Sequence, residues 1–218
     1  MQRGVKQALP ELGPGKGAQT PRGVKRRDLI LKVAATLFAE NGFDSVSITD
    51  IGIAAGITGP AIYRYFASKE TLLVSVYNHL YQRYSNGIKS ILTEEISAWE
   101  SLEMLVDLQI TLALEEREKI RIVNSEERHL PTDEAANFRA ENRRQLSVWT
   151  DLLGQARPDL PRNLCEVTVH AVLALVNSIT LRRGETSSEA SFRQHLQAMA
   201  MSTVSAGAAN DSRNPQSA

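Results

Sequence analysis

Cysteine is nearly missing from this chain of 218 residues: Cys165 stands alone. A single thiol excludes an internal disulfide framework and a cysteine-rich zinc site, and it is expected as a small core residue on an apolar helix. Long apolar runs are missing too. The longest, such as Ala171 to Val176, falls far short of the roughly 20 residues a spanning helix needs, and the N-terminus has no apolar core of the signal-peptide kind. A soluble, cytoplasmic protein with no membrane partner is the expectation. Histidine is scarce, and His79, His129, His170 and His195 stand apart without metal-ligand spacing. Neither a nucleophile elbow nor a zinc-binding His-Glu pair occurs. No catalytic residue, metal or cofactor is expected. The fragment Gly13-Pro14-Gly15-Lys16-Gly17 is no phosphate loop, because no strand precedes it and Gly17 replaces the magnesium-reaching Ser or Thr. Paired acids such as Glu94-Glu95, Glu115-Glu116 and Glu126-Glu127 splay around a helix and are read as solvated faces.

Net charge is also absent, yet its zero conceals an asymmetry. Residues 1–70 hold 10 Lys and Arg against 6 Asp and Glu, which is +4, so the remaining 15 against 19 give −4. A cationic end gains free energy on DNA through counterion release. Hydrophobic residues make up 42% of the chain, ample for packed cores.

What is present is helical punctuation. The first helix, about 25–40, carries Ile30, Val33, Ala34, Leu37 and Phe38 at the spacing of one buried face, and Asn41-Gly42 ends it. Ser47 and Asp50 have the spacing of a capping box for a second helix, 48–55, which leaves Thr49 able to face a phosphate. Gly56-Ile57-Thr58 is a tight break in which Gly56 tolerates positive φ and Thr58 can cap a third helix, 59–66, with Pro60 in its first turn. Two short helices across a sharp turn make a DNA-reading element. Gly59, Pro60 and Ala61 let the backbone approach base edges, Tyr63, Arg64 and Tyr65 supply donors, and Ile62 and Phe66 pin the helix. A fourth helix opens at Ser68 with Glu70 in its first turn and runs through Leu72, Leu73, Val76, Tyr77, Leu80 and Tyr84. Residues 1–23 are read as a disordered tail; the basic stretch where it meets the first helix, with Arg22, Lys25, Arg26 and Arg27 as candidates, either enters a minor groove or merely solubilises.

From Ile91 onward the pattern is helical, with no alternating strand and no internal repeat. Helices are expected at 99–117, 118–127, 132–156, 162–183 and 188–205, followed by a frayed tail from 207 to 218. The fold class is all-α.

The runs LFAENGFDSVSITDI (Leu37 to Ile51), AAGITGPAIYRYF (Ala54 to Phe66) and SKETLL (Ser68 to Leu73) resemble the N-terminal domain of TetR-family transcriptional regulators. The match covers about residues 25–85, with Pro60 a variation that bears on which bases are read. The resemblance implies a helix-turn-helix domain at 24–85, an effector and dimerisation domain at 86–206, and a homodimer on a palindromic operator. It places Lys69 on a phosphate. It also implies that an effector tilts the fourth helix and so alters the spacing, about 34 Å, of two recognition helices. The last two long helices would form a four-helix bundle with their mates through Val167, Ala171, Leu175, Ser178, Phe192, Leu196 and Met199. The alternative is burial within one chain. The other helices would enclose a hydrophobic or amphipathic effector with Ile110, Leu114, Phe138, Trp149, His170, Leu173 and Asn177. Arg139 and Arg143, four residues apart, suit a phosphate or carboxylate, and some members answer to acyl-CoA thioesters; pairing of these arginines with Asp133, Glu134 and Glu141 is the alternative. Two other classes stay open: a helical enzyme or carrier, which leaves the recognition helix purposeless, and an orphan interaction module without an inducer.

Overall fold

The computed structural model describes residues 20–181 and 189–206, all helix, turn or loop, with no strand among them. The expected tails at 1–19 and 207–218, together with residues 182–188, lie outside the described residues.

The first helix, α1 (Pro21–Asn41), starts four residues earlier than expected. Thr20 caps it by accepting a hydrogen bond from the Gly23 backbone, 3.1 Å, and Pro21 occupies the first turn. Arg22, Lys25, Arg26 and Arg27 therefore sit on a helix and cannot form an extended arm. Gly42, at φ 81°, ends α1. There follow α2 (Ile48–Ala54), α3 (Gly59–Ile62), α4 (Lys69–Leu92), α5 (Ala98–Glu115) and α6 (Arg117–Ser125). A 3-10 turn at Glu127–His129 leads to α7 (Thr132–Ala156), then α8 (Arg162–Asn177), which continues as a 3-10 segment to Leu181, and α9 (Glu189–Ser205).

The chain forms two compact units that interleave along the sequence. One takes residues up to Arg83 together with Glu118–Glu141, the other Tyr84–Arg117 and the chain from Asn142 onward. The first has a core of Ile30, Phe38, Ile51, Ile62, Phe66 and Leu72, to which α7 adds Phe138, tilted against Tyr77 at 5.0 Å and Tyr81 at 5.3 Å. The Tyr77 hydroxyl donates to the carbonyls of Ile122 and Val123 on α6. Burial pushes the phenols of Tyr77 and Tyr81 up, the latter to about 12, so both remain donors across the working pH range.

The second unit buries Leu102, Leu105 and Ile110 of α5, Trp149 and Leu153 of α7, Cys165, Val169 and Val176 of α8, and Leu196 and Ala200 of α9. Cys165 is the core residue expected of it. Two polar devices order this interior: the Trp149 indole donates to the Tyr84 hydroxyl at 2.6 Å, and Gln109 donates to Asn177 at 2.7 Å. Arg157 pairs through two nitrogens with Asp159 and donates to the carbonyls of Val204 and Ala206, serving the exposed C-terminal end of α9. Of the paired acids, Glu116 and Glu126 are buried, so those two are not solvated faces. The span Arg162–Leu181, 20 residues of mean hydropathy 1.7, is long and apolar enough to cross a membrane by length and composition, which counting uninterrupted apolar runs does not reveal. Only 33% of that stretch is buried, because α8 turns an apolar face outward.

Candidate nucleic-acid interface

The entry to α2 is built from its own sequence. Ser47 Oγ accepts from the Asp50 backbone at 3.1 Å, while the Ser47 backbone and hydroxyl donate to Asp50 Oδ2 at 2.9 and 2.6 Å, the reciprocal capping box that the spacing indicates. The Ser47 hydroxyl, and after it the Ser47 backbone N–H, holds the Asp50 carboxyl below its ordinary value of 3.8. A carboxylate depressed by folding stabilises above that ordinary value and ceases to do so as pH falls through the lower folded one. Ser47→Ala should therefore lower the melting temperature by about 3 °C at neutral pH. In circular-dichroism melts the gap should stay constant down to about pH 4 and narrow below it.

Two glycines set how closely α2 and α3 cross. A Cβ on Gly52 would lie 2.9 Å from the backbone nitrogen of Gly59 and 3.0 Å from both its Cα and the Ile57 carbonyl oxygen. One on Gly59 would meet Thr49 Cα and Oγ1 at 3.3 Å. Gly56, at φ 65°, turns the chain between the helices, and the Ile57 N–H closes the turn on the Gly52 carbonyl at 2.9 Å. Gly52 escapes the sequence reading, although an isolated glycine inside a helical pattern is itself a sign of close packing.

The α-helical part of α3 is one turn and not two, since it ends at Ile62 and the chain tightens through Phe66. Thr58 stands at its N-cap, but the hydroxyl makes no capping bond, contrary to expectation. Ile62 and Phe66 are buried, while Ser47, Thr49, Thr58, Pro60, Tyr63 and Arg64 are exposed, with Gly59 and Ala61 between these extremes. These exposed positions are among those the sequence assigns to the reading face. Ile53, 73% exposed near the end of α2, also belongs to the surface of this unit.

Four expected contacts turn inward. Arg27 lies with its guanidinium 4.8 Å from the centroid of the Phe66 ring and donates to Ser75, while Arg26 donates to the Ala55 carbonyl. Both arginines brace the helix-turn-helix from α1, and burial lowers the Arg27 pKa. Tyr65 is half-buried against the core. Lys69 donates to the carbonyls of Phe43 and Val46 at 2.9 and 3.0 Å with its ammonium 4.2 Å from the centroid of the Phe43 ring, so two of its three protons serve the loop before α2 and not a phosphate.

The expected effector residues divide. Phe138 and Arg139 belong to the first unit, where Phe138 is core and Arg139 is exposed and paired with Glu127. In the second unit Ile110 and Trp149 are packed core, Leu114, Leu173 and Asn177 are half-buried, and Arg143 and His170 are exposed. An open groove of about 480 Å³ in that unit, lined by Thr150, Asp151, Gly154, Gln155, Leu160, Arg162 and Cys165, contains none of them. Among the described residues no group of three His, Cys, Asp or Glu could hold a metal. Of the expected dimer residues, Val167, Ala171, Ser178 and Met199 are exposed and Leu175 and Phe192 half-buried. Leu196, at 6% exposure, is core of its own chain instead.

Comparison with known proteins agrees with this architecture. Residues 30–76 match the model of bacterial regulatory proteins of the tetR family, and residues 95–190 the model of a tetracyclin repressor-like C-terminal domain. The chain is 29% identical over 146 residues to the HTH-type transcriptional repressor KstR2 of Mycolicibacterium smegmatis, covering 64% of this chain and 71% of that protein. It is 26% identical over 162 residues to the repressor NicS of Pseudomonas putida, covering 72% and 76%. Among solved structures, the ketosteroid transcriptional regulator KstR2 of Mycobacterium tuberculosis superposes with a TM-score of 0.74 at 22% identity, over 87% of this chain and 97% of that one. AibR, solved in complex with isovaleryl coenzyme A and operator DNA, gives 0.67 at 20% identity over 80% and 97%.

Proposed function

This chain belongs to the TetR family of bacterial transcriptional regulators, and on that premise we propose that it is a repressor that binds a palindromic operator as a homodimer and is released by a small hydrophobic or amphipathic effector. The observation that carries the reading is the outer surface of α2 and α3. Thr49, Thr58, Pro60, Tyr63 and Arg64 are exposed on a helix pair whose inner side, Ile51, Ile62 and Phe66, is fully packed. Polar donors there gain nothing within one chain and meet phosphates and base edges in a major groove. Residues 24–85 carry this reading role and residues 86–206 the effector and pairing roles, which makes the protein regulatory and not catalytic and places it in the cytoplasm with the chromosome.

Pairing is supported by the outward face of α8 and α9, where Val167 is 63% and Met199 42% exposed beside the small residues Ala171 and Ser178. Apolar surface of this kind is covered in a stable soluble protein. The effector is the less defined partner. AibR was solved with an acyl-CoA, and KstR2 is named for ketosteroids, so acyl thioesters and steroid-like acids are the classes to titrate first.

Selection from random duplexes, followed by anisotropy titration of the retained sequence, tests the reading. An inverted repeat should emerge, with an affinity that falls steeply as salt rises. Arg64→Ala should weaken the selected duplex by about 10- to 100-fold and relax preference at one position of each half-site. Retention of no common sequence, or a chain monomeric at micromolar concentration, would sink the proposal.

A further inference from the structure

The loop between α1 and α2, residues 42–47, sets where the DNA-reading helices begin; beyond the Ser47 capping box and the Val46 N–H on the Phe43 carbonyl, its hydrogen bonds come from other elements. The last turn of α1 contains no basic residue, so its terminal carbonyls need partners from elsewhere. Asn41 serves the Leu37 carbonyl and the Gly42 N–H serves Phe38. The next carbonyl, Ala39, accepts a 2.7 Å hydrogen bond from Arg121, 82 residues away on α6. Lys69 of α4 then takes the carbonyls of Phe43 and Val46. His129, just beyond α6, stacks on the Phe43 ring at 4.8 Å, and its Nε2 lies 3.4 Å from Asp44 Oδ2 in the same loop. The α6 segment thus reaches the loop at both ends, through Arg121 at α1 and His129 at Phe43.

We infer that Arg121 is a positioning residue for operator recognition: through the Ala39 carbonyl it fixes the loop from which α2 and α3 project. This inference rests on the DNA-binding reading above and adds to it the element that carries the setting. A charged donor at a helix C-terminus is favoured by the helix dipole as well as by the hydrogen bond. The same device recurs where Arg157 serves the end of α9. Here the donor belongs to α6, which ties the approach to the reading helices to α6 directly, beside the link that α4 makes through Tyr77 and Lys69.

The test uses the full chain and the duplex retained by the wild type. Arg121→Met should weaken binding tenfold or more at a temperature well below its melting point, and should accelerate amide exchange at residues 43–48 while leaving the core amides of α4 unchanged. Arg121→Lys, which keeps the charge and a donor, should bind within about threefold of wild type. Ala135→Gly, a buried change on α7 in the same unit, is the stability control and should lower the melting temperature without changing affinity. Should Arg121→Met fail to fold, Arg121→Gln takes its place with the same expected split. Binding within twofold of wild type for the uncharged variant overturns the inference, as does an affinity loss matched by Ala135→Gly at equal melting temperature. A wild-type chain that retains no duplex refutes the DNA-binding reading instead, and the exchange comparison still decides whether Arg121 holds the loop.

Discussion

Gly52→Ala is expected to abolish operator binding while leaving most of the helical content in place. The added methyl would sit about 3 Å from three backbone atoms of Gly59 and Ile57, none of which can rotate away as a side-chain end could. Relief requires α3 to move outward as a body. Overpacking of this kind costs roughly 1–3 kcal/mol of stability. The larger effect is on recognition, because α3 has a single helical turn and a shift of an ångström takes its donors off the base edges. Affinity for the selected duplex should fall by at least about 100-fold, equivalent to ~2.7 kcal/mol. Gly154→Ala is the control: a Cβ there meets nothing within 4 Å, and in the last turn of α7 alanine is still the better helix former, so stability should hold or rise slightly. Anisotropy titrations of both variants beside circular-dichroism melts decide the matter, and binding by Gly52→Ala within threefold of wild type would show that the two helices have room the structure denies them.

Trp149→Ala should give the largest loss of stability. The indole is 1% exposed, and its N–H is given to the Tyr84 hydroxyl, itself buried. Removing it leaves both a large cavity and a phenol deprived of its donor, for a combined cost of about 3–5 kcal/mol. In a chain of this size the melting temperature should drop by roughly 10 °C. Tyr84→Phe isolates the polar part and should cost about 1–2 kcal/mol, since the indole N–H is then the orphan. Calorimetry on the three proteins separates the contributions, and a melting temperature for Trp149→Ala within 2–3 °C of wild type would mean that the site collapses around the gap.

The legible parts of this fold were those written in local spacing. Asn41-Gly42, the Ser47 to Asp50 box and Gly56 each announce a boundary through chemistry that acts within four residues, and each stands where that chemistry puts it. Thr20-Pro21 is the same kind of signal, but it is set in a glycine-rich approach that reads as a tail. Lys69, Arg27 and Arg121 misled or were silent for a different reason. Their partners lie 26, 48 and 82 residues away, and no periodicity encodes which distant carbonyl or hydroxyl a long cationic side chain will find. A surface lysine at a helix start and a lysine clamped onto two carbonyls have the same sequence. Leu196 and Val167 show the corresponding ambiguity for apolar residues: both lie on apolar helices, and only the packing of one chain decides which of them is left outside.

The interleaving of the two units bears on how proteins of this build can be recombined. Because residues 118–141 return to the unit that holds the reading helices, a single crossover near residue 85 separates α6 from the loop it grips. A graft of a new sensor onto this reader would have to carry that returning segment with it, or supply from its own sequence a guanidinium for Ala39 and a ring for Phe43. Exchange of whole halves at that point would therefore break both contacts unless the middle of the chain travelled with its beginning.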